Sequence, residues 1–571
     1  MSSGSSTKYS RGAVVSESQI ASDIGAEILK EGGSAADAII ATILAIGTVD
    51  SFHSGIGGGG FALVRDSKGR KFCLDFRSAA PRGVDSSTYE DKPATLTEYG
   101  GLAVAVPGEL RGFEELHKRW GKLPWARLVQ PSIELARHGF EADADHFRIL
   151  ARTFKEGEHE STSWVREHPI LGPWYFTPEG NFKPVGSKIT RPEFATTLEK
   201  IAKGGAKAFY TGELAQGMVD AVQKDDGKLS LEDLTDFQAK YTEPLSIDYK
   251  GYKITSAGAP ASGAACLTAL NVLKHFPSPV GPGSVEDNHR MIEALKWAYA
   301  HRGELGDPRY VDGLGGVMNS DGSFTKGKQR DWISEDYGKA IYEKLINTDD
   351  GLGGVEGGKA RDPKWYSPES LSIAKNDSGT SHIIVGDASG LVISITTTIT
   401  LTWGSRVIVP DSGIVLNDTM EDFSVKGRPN VFGLPPTPAN YIKPGKRALS
   451  SSSPFIIEDS QGRFVYSGGA AGGSRIVSCN AQQARNFLDY GMTPEQALNH
   501  PRLHDQLIPK QTLLEPGHSA TLEKGLAERG HPVTRIPVAT STAAAISYNP
   551  DTDVWMYASE PRIRCGGGTV V

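Results

Sequence analysis

The sequence predicts a layered α+β protein in which helices stack on antiparallel sheets. Three observations carry that prediction. Runs of period-two alternation come in pairs joined by tight turns, which reads as hairpins rather than as βαβ units. Groups of helical segments separate those pairs. At 571 residues the chain exceeds one ordinary core, so it needs two domains or one large multilayer unit.

The first hundred residues read as helix, helix, hairpin. ESQIASDIGAEILKEGG has apolar residues at helical spacing and stops at Gly32-Gly33, and Ser34 caps the next helix, SAADAIIATILAIGTVD. FALVRDSKGRKFCLDF is two alternating runs about a Ser-Lys-Gly turn. Residues 106–240 are mainly helical, through PGELRGFEELHKRWG, PWARLVQPSIELARHG, PEFATTLEKIAKGGAKAFY and ELAQGMVDAVQKDDG. EPLSIDYKGYKITSAG is a second hairpin and GAACLTALNVLKHF a helix. Residues 312–365, rich in Gly, Asp and Lys, read as surface loop with one helix. From Thr380 to about Val409 the chain reads as strands, and 410–453 is a Pro/Gly/Ser-rich excursion. RFVYSGGA is a strand, NAQQARNFLDYG a helix, and short elements complete the chain.

Composition narrows the function classes. A net charge of −7 without a long basic block argues against nucleic-acid binding. The 66 glycines follow no fixed period, which argues against collagen-like or low-complexity structure. MSSGSSTKYSRGAVVSESQ has no apolar core of the secretory kind, and the apolar run from Ala35 contains Asp37 and is too short to span a bilayer. Cys73, Cys266, Cys479 and Cys565 form neither a metal pattern nor a disulfide framework. The expectation is a cytoplasmic protein without a membrane span, in which the sequons at Asn376 and Asn417 carry no sugar.

Two phosphate-binding motifs fail on context. GIGGGG, Gly55 to Gly60, matches the dinucleotide fingerprint by letter, but it follows a helix and precedes a hairpin, the reverse of what the motif requires. It reads as a tight backbone crossing. GSFTKGKQ from Gly322 nearly matches a P-loop, yet Gln329 stands where a hydroxyl would hold magnesium. No metalloprotease helix and no Gly-x-Ser-x-Gly elbow occurs.

The segment SGTSHIIVGDASGLVISITTT is more informative. Taken alone it is a Thr-rich hairpin. A threonine hydroxyl becomes a good nucleophile when a base sits beside it, and a threonine at a chain N-terminus carries its own α-amine as that base. Thr380 reaches that state only if the chain is cut after Gly379, whose lack of a side chain leaves the scissile carbonyl open.

The stretch from Gly379 through GLVISITTTITLTWGSRVIVPDSGIVLNDTMEDFS resembles the processing-site segment of the γ-glutamyltranspeptidases, self-cleaving N-terminal-nucleophile hydrolases that act on glutathione. LDFRSAAP, GGLAVAVPGELRGFEELHKRWGKLPWARLVQPSIELARHG, KRALSSSSP and GGAAGGSRI are similar to that family's other characteristic stretches, in the same order. The resemblance implies a four-layer αββα sandwich, cleaved into residues 1–379 and 380–571, with no cofactor or metal. It assigns Thr380 as nucleophile, Thr398 as the hydroxyl that orients it, and Gly472 and Gly473 as the oxyanion hole. It also assigns Arg77, Ser450 and Ser451 to the substrate α-carboxylate and Asp422 to its α-amino group. RPNVFGLPPTP corresponds to the family's lid, with Phe432 over the pocket.

Two positions depart from the pattern. Thr400 stands where the family commonly has Asn, and Thr419 where it commonly has Glu or Gln. Both changes shorten a polar side chain in the amino-group subsite. The function implied is hydrolysis or transfer of a γ-glutamyl group from glutathione or a conjugate to water or an amine. A related acylase with another acyl donor and an unprocessed scaffold are the rival readings.

Overall fold

The computed structural model describes residues 11–155, 161–347, 358–366, 368, 379–428, 436–562 and 566–571. Two antiparallel sheets, of seven and six strands, lie at its centre. In chain order the strands are β1 (Gly12–Ser16), β2 (Gly59–Arg65), β3 (Lys71–Asp75), β4 (Lys240–Thr242), β5 (Pro244–Tyr249), β6 (Tyr252–Ala257) and β7 (Gly379–Asp387). They continue as β8 (Val392–Thr400), β9 (Phe455–Glu458), β10 (Phe464–Ala471), β11 (Thr542–Asn549), β12 (Val554–Ser559) and β13 (Gly567–Val570). The first sheet runs β13-β1-β7-β8-β2-β3-β4 and the second β12-β11-β10-β9-β6-β5.

Helices cover the outer faces. α1 (Gln19–Lys30), α2 (Ala35–Val49), α3 (Glu109–Trp120), α4 (Trp125–His138) and α5 (Pro192–Gly204) share a core with the first sheet. α6 (Gly263–Leu273), α7 (Val285–Arg302) and α8 (Arg475–Tyr490) share another with the second. Between the sheets lies a third apolar cluster that includes Val15, Leu63, Ile384, Ile456 and Ile546. This is the αββα sandwich, and it forms because each sheet has two apolar faces to cover.

Local chemistry sets these elements. Ser34 accepts the Asp37 N–H at 3.2 Å while the Asp37 carboxylate takes the Ser34 N–H at 2.9 Å, a capping box of about 1 kcal/mol. Asp37 also accepts the Lys122 N–H at 2.8 Å, which is why an acidic residue tolerates full burial in an apolar helix. α2 is buried along its whole length, and among the described residues no helix is long and apolar enough to cross a membrane. The glycine run is a close crossing: a Cβ on Gly58 would lie 2.3 Å from the Thr398 carbonyl oxygen, and one on Gly57 2.0 Å from that of Val415. Asn417 is fully buried and donates to the carbonyls of Gly57 and Ala105, so its sequon holds the crossing together.

Two elements escape the sequence reading. β1 is only five residues long and lies ahead of the first apolar helix, yet it sits between β13 and β7. α7 is rich in charged residues and shows no apolar stripe, although Ser284 caps it by accepting the Asp287 N–H at 3.1 Å. The helical segment beginning at Pro192 breaks at Gly205, where φ is +66°, into α5 and a short turn at Lys207–Tyr210. Phe432, Asn376 and Cys565 lie outside the described residues.

Candidate active site

The site grows out of the β7–β8 pairing. Antiparallel register sets Thr380 opposite Thr398, Ser381 opposite Thr397 and His382 opposite Thr396. Alternation then sorts these side chains by face. Ser381 and Thr397 turn to the helical layer, where Ser381 bonds Glu17 and Thr397 bonds Glu109. Thr380, His382, Thr396 and Thr398 turn toward the second sheet.

Thr398 makes three contacts there. Its Oγ1 lies 2.9 Å from Thr380 Oγ1, donates to the Gly379 carbonyl at 2.6 Å and accepts the Thr400 N–H at 2.8 Å. A hydroxyl has one proton, and here it goes to the Gly379 oxygen, so the Thr380 hydroxyl is the donor in the Thr380–Thr398 contact. The Gly379 carbonyl is thus polarised by the same hydroxyl that accepts the Thr380 hydrogen bond. The Thr400 contact depends on a bulge: register slips between Thr398 and Thr400, and Thr400 has φ of +82°. A non-glycine residue there costs about 1–3 kcal/mol, strain of the kind held at functional sites.

The glycine pair lies across the sandwich. β10 ends at Ala471, Gly472 and Gly473 have φ of +125° and +58°, and α8 begins two residues later. A Cβ on Gly469 would strike the His382 ring, and one on Gly386 would contact Ile546, which pairs with Ser467. β7 and β10 therefore face each other in opposite directions, and Thr380 falls toward the Ala471–Gly473 end. A Cβ on Gly472 would lie 2.8 Å from the Thr540 carbonyl oxygen, so a side chain is excluded on steric and conformational grounds together.

The remaining predicted residues gather into one cluster. Arg77, two residues beyond β3, is buried and donates through Nη2 to Asp422. Its Nε and Nη1 are buried with no protein acceptor. Burial raises the Asp422 carboxyl above its usual range, opposed by Arg77 and then by Arg302. Ser450 donates to Ser452 Oγ at 3.0 Å, and Ser451 Oγ accepts from Arg302 Nη2 at 2.8 Å. Thr400 and Thr419 are both buried, with their hydroxyls 3.1 Å apart. Arg302, the last residue of α7, is absent from the sequence-derived set. The capping serine at 284 and the Gly303 stop were the available signals for its helix.

Other buried polar groups do not join the site. Burial holds the His382 imidazole down at about 3, so it is neutral, bonded to Thr396 Oγ1 at 2.9 Å and Ser394 Oγ at 3.3 Å. Burial lifts the Glu109 carboxyl to about 7 despite its bond from Thr397. His289, Glu293 and His531 bring possible metal ligands within 4.8 Å of one another. Lys296 and Tyr366 already bond the Glu293 carboxylate, however, and the two imidazoles bond each other at 2.6 Å. A divalent ion would have to break those bonds beside an ammonium group, so the cluster fits a protein-internal network better than a metal centre. Cys73, Cys266 and Cys479 are free and buried.

Two facing antiparallel sheets between helical layers, with a threonine at the head of a central strand, define the N-terminal-nucleophile hydrolase class. A cephalosporin acylase from Bacillus halodurans shares the fold, with a TM-score of 0.81 at 26% identity, covering 100% of this chain and 97% of that one. The family model of the gamma-glutamyltranspeptidases matches residues 21–569, so the chain belongs to that family. It is 39% identical to a glutathione hydrolase proenzyme of Arthroderma benhamiae, over 98% of this chain and 93% of that protein. It is 33% identical to the glutathione hydrolase proenzyme of Escherichia coli K12, over 97% and 90%.

Proposed function

We propose that this protein is a γ-glutamyl hydrolase and transferase that matures by cutting itself between Gly379 and Thr380. The observation that carries the proposal is the Thr380–Thr398–Gly379 arrangement, in which one hydroxyl contacts the nucleophile at 2.9 Å and the scissile carbonyl at 2.6 Å. Thr380 Oγ1 adds to the Gly379 carbonyl carbon, the peptide C–N bond breaks, and the nitrogen takes the hydroxyl proton. The resulting ester between Gly379 and Thr380 is hydrolysed by water to a Gly379 carboxylate and a free Thr380 hydroxyl and α-amine.

The mature site reuses the same atom. The α-amine, with an ordinary pKa near 8, takes the Thr380 hydroxyl proton; the neutral, buried His382 is no competing base. Oγ1 attacks the γ-glutamyl amide carbon, and the Gly472 and Gly473 N–H groups receive the charge that develops on its oxygen. The amide C–N bond breaks, the leaving amine takes the proton, and the acyl group rests on Thr380 until water or another amine removes it. Arg77, Ser450 and Ser451 hold the α-carboxylate and Asp422 the α-amino group. These roles come from family membership and agree with the clustering of the side chains.

Intact-mass measurement on purified protein tests the first half. Wild type should resolve into residues 1–379 and 380–571, which co-purify, and Thr380→Ala should stay one chain. Release of p-nitroaniline from γ-L-glutamyl-p-nitroanilide, quickened by an added amine acceptor, tests the second. Wild-type protein that stays full-length through long incubation at neutral pH would defeat the proposal.

A further inference from the structure

We propose that Tyr299 is a positioning residue for the oxyanion hole: its hydroxyl pins the turn that aims the glycine N–H groups, so it serves acyl transfer rather than self-cleavage. This inference rests on the proposed function and adds a residue to its machinery. It starts from the Gly472–Gly473 turn. The Gly472 carbonyl accepts the Arg475 N–H at 3.2 Å, and the Gly473 carbonyl accepts the Ile476 N–H at 3.1 Å. A trans peptide is planar, with its N–H opposite its C=O. The Gly473 N–H therefore points away from α8, in a direction set by the first turn of that helix. The positive end of this 16-residue helix adds to the field there.

Two glycines with φ of +125° and +58° have no side chains to anchor them, so their orientation depends on what holds the helix start. Tyr299 holds it from outside. It lies on the last turn of α7, is buried, and donates from its hydroxyl to the Ser474 carbonyl, one residue beyond Gly473. Burial raises its phenol above the ordinary range, so it keeps the proton it donates. α7 and α8 run antiparallel and are tied at both ends, since Arg485 Nη1 donates to the Asp287 carbonyl at 2.9 Å at the other. Beside Tyr299, Ser478 Oγ bonds the Arg475 carbonyl at 3.0 Å and His504 Nδ1 at 2.8 Å. The His504 ring meets the Tyr299 ring edge to face, with centroids 5.8 Å apart.

The two proposed reactions place different demands on this turn. In the precursor, the Gly379 oxygen already takes a hydrogen bond from Thr398 at 2.6 Å. In acyl transfer, the donor's amide oxygen relies on the Gly472 and Gly473 N–H groups, which are worth most when their aim is fixed beforehand. Removing the Tyr299 hydroxyl lets the Ser474 peptide turn and the glycine N–H groups with it. The loss falls on the transition state, where the oxygen carries charge, and not on the bound substrate.

The test is Tyr299→Phe, which deletes the hydroxyl and keeps the ring. Precursor cleavage is followed by intact mass, and the cleaved protein is assayed with γ-L-glutamyl-p-nitroanilide. Inhibition is measured with L-2-amino-4-boronobutanoate. Its trigonal boron accepts Thr380 Oγ1 as the hydroxyl proton passes to the α-amine, giving a tetrahedral anion with one oxygen in the oxyanion position. The expected result is cleavage within threefold of wild type, kcat at least tenfold lower, KM within threefold, and a boronate Ki at least tenfold higher. Wild-type kcat in cleaved Tyr299→Phe protein overturns the inference and leaves the γ-glutamyl activity standing. Equal slowing of cleavage and turnover also overturns it, because the hydroxyl then supports the fold as a whole. A raised KM with an unchanged Ki overturns it by moving Tyr299 to substrate binding. Cleaved wild-type protein that does not turn over the anilide defeats the proposed function and this inference together.

Discussion

Replacing Thr398 by valine removes one hydroxyl and leaves the shape of the side chain intact. Three interactions go with it: the 2.6 Å donation to the Gly379 carbonyl, the 2.9 Å contact with Thr380 Oγ1 and the acceptor for the Thr400 N–H at 2.8 Å. The first matters most for cleavage, because in the proposed self-cleavage the Gly379 oxygen becomes the oxyanion. Loss of a preorganised donor to such an oxygen costs about 2.7–4 kcal/mol, or roughly 10²–10³ in rate. The third acts on stability: a buried N–H at a bulge left without its acceptor costs about 1–3 kcal/mol. Self-cleavage in Thr398→Val should therefore slow by roughly 10²–10³, while Thr398→Ser stays within about tenfold of wild type. The assay follows fragment appearance by denaturing electrophoresis and intact mass from freshly made precursor, with thermal unfolding run in parallel to confirm a folded chain. Cleavage of a folded Thr398→Val protein at the wild-type rate would refute the reasoning.

Three further outcomes follow from the same geometry. Arg77→Lys keeps the charge but loses donors, so kcat/KM for γ-glutamyl anilide should fall by about 1.5–3 kcal/mol with self-cleavage unaffected; normal kinetics would exclude Arg77 from the site. Thr400→Asn with Thr419→Glu replaces the mutually bonded hydroxyls with longer acceptors and should raise kcat/KM for γ-glutamyl anilide by about 1–3 kcal/mol on cleaved protein, and an unchanged value would show that the natural pocket is complete. Glu109 has its carboxyl raised to about 7, so its contribution to stability is fully present below the ordinary carboxyl pKa of 4.5 and is lost as pH rises through about 7. Denaturant unfolding at pH 5 and pH 8 should show Glu109→Gln gaining about 2–3 kcal/mol on wild type across that interval, and a pH-independent difference would show that Glu109 does not titrate there.

The sequence by itself determined the local elements and the family to which the chain belongs. Hairpin alternation sets strand faces whatever the surroundings, so the Thr380–Thr398 hairpin was legible before the fold was known, while the roles given to those threonines came from the family resemblance. The same holds for the Ser34 cap, which depends on near neighbours, whereas the backbones that the glycine run crosses, at Thr398 and Val415, came only with the fold. Only the tertiary structure decided that Arg77 meets Asp422, 345 residues away, and that Thr400 and Thr419 bond each other. It also decided that β1 belongs inside the first sheet, since five residues carry too little periodicity to declare a partner. α7 was illegible for a different reason. A helix packed on several sides has no apolar stripe: its buried charged residues are satisfied within the helix, Arg290 by Asp287 and Glu286 and Lys296 by Glu293, or by distant partners, Arg302 by Ser262 and Ser451. Arg302 reaches the subsite only through that packing, because a guanidinium's role is fixed by the acceptors brought to it rather than by its own place in the chain.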